Sequence, residues 1–137
     1  MAENDIYDTK SKYDFFVNNY LEFGKKPEER INIDRGRKSK YFSQNKENLK
    51  YFHKLFKIFE PKDLSYVRRM RLVNTFKIIC HVANKDLKDC EREDVSDIVT
   101  FMHTVYKSVK SKQDFIIDIK YLWKNIFPEK DEKGRID

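Results

Sequence analysis

The sequence predicts an all-α protein, a compact four-helix bundle with an additional N-terminal helix. Three observations lead there. Only 3 Gly and 3 Pro occur in 137 residues, too few for the tight turns of an all-β chain. Hydrophobic residues make up 39% and aromatic ones 15%, enough to build a core in a chain that is 38% charged. Apolar positions recur at helical spacing in successive segments separated by Gly, Pro or charged breaks. The length suits one domain with one core.

Tyr13, Phe16, Val17 and Tyr20 lie on one stripe, and Gly24 with Pro27 ends it, so a short N-terminal helix is expected. From Pro27 to Gln44 the chain is charged and polar with little apolar period, which reads as a mobile basic loop. Helix and loop together form an N-terminal region, 1–45, ahead of a main body at 46–128. The first body helix begins near Lys46 with Leu49, Phe52, Phe56 and Phe59 on its buried side and stops before Pro61. Ser65 is placed to cap a longer second helix whose stripe is Leu72, Phe76, Ile79, Cys80 and Ala83. Glu91, Glu93 and Asp94 favour the positive end of a third helix, with Val95, Ile98, Val99, Met102 and Tyr106 inward. The fourth is expected to start at Ser111 in a capping box with Asp114, to bury Phe115, Ile119, Leu122 and Ile126, and to close at Phe127-Pro128. Residues 129–137 are charged and aperiodic, as a linker would be.

The net charge of +6 is unevenly distributed. Residues 1–34 hold five basic and eight acidic groups, whereas Arg35 to Arg71 holds twelve basic and three acidic. Residues 86–102 are acidic again, two against six, and 103–124 basic, five against two. This segregation predicts a basic face for a polyanion and an acidic face elsewhere. No apolar run approaches the roughly 18–20 residues of a membrane span, and the acidic start lacks the character of a signal peptide. Two cysteines, Cys80 and Cys90, in helical surroundings read as reduced core thiols of an intracellular protein.

Metal and catalytic chemistry find little support. His53, His81, His103, Cys80 and Cys90 are the available soft ligands, and no pair shows the i, i+4 histidine spacing of a zinc helix. No GxSxG elbow or phosphate loop is present, and the acidic run Asp86, Asp89, Glu91, Glu93, Asp94 is accounted for by helix-start charge and solvation. No cofactor and no catalysis by this chain alone are expected. The basic set is the remaining signal: Arg35, Arg37, Lys38 and Lys40 in the loop; Arg68, Arg69 and Arg71 after Ser65; and Lys107, Lys110 and Lys112 around the fourth helix start, where the polar Ser111 and Gln113 join them as candidate contacts. Arginines in the first turns of a helix oppose its dipole, so a partner's negative charge would give them a purpose.

The ordered series Leu64-Ser65-Tyr66-Val67-Arg68-Arg69, Lys85-Asp86-Leu87, Glu93-Asp94-Val95 and Ser108-Val109-Lys110-Ser111-Lys112-Gln113-Asp114-Phe115, leading to Ile119-Lys120, resembles the N-terminal core-binding (SAM-like) domain of tyrosine recombinases of the phage-integrase family, especially its archaeal branch. The likeness spans about residues 46–128. Glu91 stands where the family usually has Thr, Ser111 replaces another Thr, and Arg69 occupies a position commonly apolar. The resemblance implies a domain that clamps duplex DNA together with a C-terminal catalytic domain of the same parent chain, beside other recombinase protomers, in the cytoplasm at the nucleoid. It implies Ser65, Arg68, Ser111 and Lys112 as DNA-facing helix starts and a catalytic set that resides in the other domain. The chain's end at Asp137 would then be a cut in the interdomain linker. A helical protein-interaction module with a basic face for an acidic partner is the alternative.

Overall fold

A computed structural model describes residues 8–30 and 40–128. Among these residues all regular structure is helical, in five α-helices: α1 (Thr9–Asn19), α2 (Lys50–Phe59), α3 (Tyr66–Val82), α4 (Arg92–Val105) and α5 (Val109–Ile126). The helices α2 to α5 are the four expected in the body. Short 3-10 turns at Tyr20–Gly24, Pro27–Glu29, Lys46–Leu49 and Leu87–Asp89 punctuate the connections.

The central helix is α3, which packs against α1, α4 and α5. It can do so because Leu72, Val73, Phe76, Ile79 and Cys80 are fully buried and reach more than one neighbour. Its start is fixed as the sequence predicts, with the Ser65 hydroxyl accepting from the Arg68 amide at 3.2 Å. A buried Asn48 ties the entry of α2 to the turn before α4. Its side-chain carbonyl accepts from the Leu87 amide at 2.9 Å, while its amide donates to the Lys85 carbonyl at 3.0 Å.

The N-terminal helix is part of the same core. Tyr13 and Phe16 are buried against Phe52 and Phe56 of α2, with ring centroids 5.1–6.1 Å apart, and Phe23 packs edge-on to Phe52. Phe52 in turn meets Phe76 of α3 at 4.9 Å, so one aromatic chain runs from α1 to the centre. Gly24 is buried where a Cβ would come within 2.7 Å of the Leu49 side chain, which is the close approach that the glycine permits.

Two expectations are corrected. Part of the 27–44 segment is packed: Ser43 is buried, its amide donates to the Phe23 carbonyl at 2.9 Å, and the Gln44 amide reaches the Cys80 carbonyl at 3.1 Å. Tyr41 and Phe42 set their rings at steep angles against His81 of α3, contacts that no helical period reveals. Residues 31–39 lie outside the described residues. The last helix starts at Val109, with Ser108 as its cap accepting from the Ser111 amide at 3.1 Å. Ser111 is therefore in the first turn, and Asp114 pairs with Lys110 at 3.2 Å instead of closing a box. Two capping-type serines three residues apart give the same local signature, and the helix takes the earlier one as its cap.

Candidate nucleic-acid interface

The α3–α5 pair runs antiparallel, as its side-chain contacts show. Arg71 meets Asp118, and one turn nearer the start of α3 the Arg68 guanidinium lies over the Tyr121 ring at 5.0 Å. The start of α3 therefore faces the end of α5. The two helix starts that the resemblance implies as DNA-facing, at Ser65 and Arg68 and at Ser111 and Lys112, are about 20 Å apart along the axes, at 1.5 Å per residue.

The predicted basic residues divide by task. Arg69 is 8% exposed; its Nε donates to the Leu64 carbonyl at 2.8 Å and its guanidinium lies between the Tyr13 and Tyr66 rings, 5.4 and 4.7 Å from their centroids. It is a structural group in the α1–α3 seam, which corrects the surface role expected of it. The position commonly apolar in the resembled family is inward-facing here, and a stacked guanidinium occupies it. Arg71 donates twice to Asp118, both bonds 2.9 Å, and Asp118 is 1% exposed. This bidentate bond raises the Arg71 pKa, with desolvation acting against it. Arg71 stays at the surface with its charge matched by its own domain's buried carboxylate.

Ser65 and Arg68 remain at the surface, the serine as cap and Arg68 as a half-buried cation over the Tyr121 ring. Lys110 is exposed but paired with Asp114; Ser111 and Lys112 are half-buried, and Gln113 is exposed. Lys40 is exposed beside Tyr41, which His81 holds near the end of α3, about 20 Å along that helix from Arg68. Arg35, Arg37 and Lys38 lie outside the described residues.

Three cations that the basic set of the sequence did not include complete a coherent surface. Lys120 and Lys124 are exposed on the outward face of α5. Lys54 of α2 donates to the Ile126 carbonyl at 2.6 Å, satisfying an open carbonyl at the end of α5. Lys124 thus lies between two neighbours' cations, Arg68 at Tyr121 on one side and Lys54 at Ile126 on the other. The lysine spacing at 120 and 124 was visible in the sequence; the convergence of α2 and α3 on the same helix was not.

Among the described residues, the two carboxylates of α5, Asp114 and Asp118, are matched by Lys110 and Arg71, while Glu60 and Asp63 are exposed in the turn that leads into α3. The opposite sign gathers at α4, where Glu91, Glu93 and Asp97 are exposed. Asp94 is held below the usual carboxylate range by the Glu91 amide and by Lys85 at 3.2 Å, despite some desolvation. The same holds for Asp86, where hydrogen bonds from the Tyr51 hydroxyl and Lys88 amide, with Lys50 beside them, outweigh burial.

No group of three or more potential metal ligands occurs among the described residues. His53 and His103 are exposed and separate, and Cys80 and Cys90 are buried thiols, Cys80 pushed well up by burial. No described helix is long and apolar enough to cross a membrane. No family model, curated protein or solved structure matches the chain.

Proposed function

We propose that this domain binds duplex DNA through the face formed by α5 and the first turns of α3, acting as the DNA-clamping domain of a site-specific tyrosine recombinase, in the cytoplasm at the nucleoid. The observation that carries the reading is electrostatic. Arg68, Lys120, Lys124 and Lys54 gather around α5 while its two carboxylates are internally neutralised, so the surface keeps an excess of positive charge. The motif resemblance supports the parentage, and in that reading strand cleavage belongs to a catalytic domain of the parent chain.

Mechanistically the face contributes phosphate neutralisation. Four released counter-ions imply a log–log salt slope of about −3.6 for B-form DNA. Fluorescence anisotropy with labelled duplexes between 50 and 200 mM salt measures it. Lys124→Ala should flatten the slope by about one ion's worth, whereas Arg69→Met should leave it unchanged. Absence of duplex binding at 50 mM salt overturns the proposal.

Exposed Val67, Val109 and Ile117 on or beside this face favour a second reading, a docking surface for an acidic protein. That reading predicts equal competition by heparin and duplex DNA, and no dependence on base sequence.

A further inference from the structure

Four large apolar side chains are exposed among the described residues, and three of them border the basic surface: Val67 (67%) on α3, Val109 (70%) and Ile117 (58%) on α5. Val109, exposed Gln113 and Ile117 follow at i, i+4 and i+8, and exposed Lys120 and Lys124 continue the outward face. A helix surface that served only to attract phosphates would gain nothing from a β-branched apolar group between cations, since such residues carry lower helix propensity than Lys or Gln.

We infer that α5 is a base-reading element that selects A·T pairs in the major groove, with Ile117 packing on a thymine methyl and Gln113 bonding an adenine edge. The inference rests on the DNA reading above. Each side chain matches one feature that distinguishes A·T in that groove: the C5 methyl of thymine, which apolar groups contact, and the N6/N7 donor–acceptor pair of adenine, which a Gln amide satisfies twice. Their spacing also fits. Four residues advance about 6 Å along a helix, close to the roughly 6.8 Å of two base-pair steps.

The flanks are suited to the same pose. The major groove is about 12 Å wide, so cations on helices packed beside α5 are available to the bordering backbones when α5 enters. Arg68 at Tyr121 and Lys54 at Ile126 stand about 6 and 13 Å beyond Ile117 along α5, towards its end. Both are restrained, Lys54 by the Ile126 carbonyl and Arg68 by the Tyr121 ring, which limits the side-chain entropy lost on binding.

The test begins with selection of bound duplexes from a randomised pool at low salt, then replaces single thymines by deoxyuridine, which removes only the methyl. Wild-type protein should lose about fourfold in affinity at one thymine, as expected for about one buried methyl group. Ile117→Ala should bind more weakly and be indifferent to that replacement. Replacing the adenine two steps away by 7-deaza-adenine should weaken the wild type and leave Gln113→Ala unaffected. If the wild type binds duplexes but ignores both replacements, or if Ile117→Ala keeps the thymine sensitivity, the inference is overturned while DNA binding stands. No duplex binding at all removes the functional reading and this inference together. Equal competition by heparin and the selected duplex assigns the apolar groups to a protein partner and also overturns it.

Discussion

Replacing Arg71 by Met removes the guanidinium that holds Asp118 through two 2.9 Å hydrogen bonds and strands a carboxylate that is 1% exposed. Breaking a fully buried pair costs about 3–5 kcal/mol, and an exposed one about 0–1 kcal/mol. The Arg71 side chain is 44% exposed, so water reaches the site and screens part of the charge. A loss of about 2 kcal/mol is expected, between those two limits. For a chain of this size that lowers the melting temperature by roughly 6–8 °C. Urea and thermal unfolding followed by far-ultraviolet circular dichroism measure it, with Lys110→Met as a control whose 81%-exposed side chain should matter little. The double variant Arg71→Met/Asp118→Leu should recover most of the loss, because no charge is then buried. Stability of Arg71→Met equal to wild type would refute the reasoning, as would a double variant weaker than the single.

The Tyr51 hydroxyl donates to Asp86, so Tyr51→Phe should cost about 1.5–3 kcal/mol at neutral pH. The depressed Asp86 pKa contributes stability above the usual carboxylate range and loses it as pH falls through the folded-state value, so the variant should show a smaller stability change on acidification; an unchanged pH profile would contradict this. Conversely the Tyr51 pKa is raised, chiefly by burial and by the Asp86 contact, so its contribution is present below about pH 10 and disappears in stronger alkali; unfolding titrations above that pH should show the decline in wild type and lose it in Tyr51→Phe. Phe16→Ala should destabilise the whole domain by about 3–5 kcal/mol in a single transition, since α1 shares the core; a separate early transition of α1 would count against that. Ser108→Ala should cost about 1 kcal/mol and Ser111→Ala much less; the reverse order in denaturant midpoints would restore the later helix start.

Most of the architecture was legible because amphipathic periodicity is a local property. Leu72, Phe76, Ile79 and Cys80, or Phe115, Ile119, Leu122 and Ile126, report a buried helical face without reference to any neighbour. Ser65 could be read as a cap because a capping hydroxyl needs only its own next three residues. The last helix start was less legible, since Ser108 and Ser111 satisfy the same local rule. The segment at Tyr41–Ser43 was illegible, for its order depends on His81 and Cys80 nearly 40 residues away.

By itself the sequence determined the helical class, the four body helices and the segregation of positive from negative charge, all of which follow from composition and spacing. Tertiary structure decided which charges face outward and which are engaged within the fold. Arg68, Arg69 and Arg71 are adjacent in sequence, yet one lies on Tyr121, one is enclosed by Tyr13 and Tyr66, and one neutralises Asp118. A helix turns about 100° per residue, so consecutive positions meet different neighbours, and a run of like charges need not form one face. The surface around α5 exists because α2 and α3 bring Lys54 and Arg68 to either side of Lys124, a juxtaposition made by packing between residues as much as 70 positions apart.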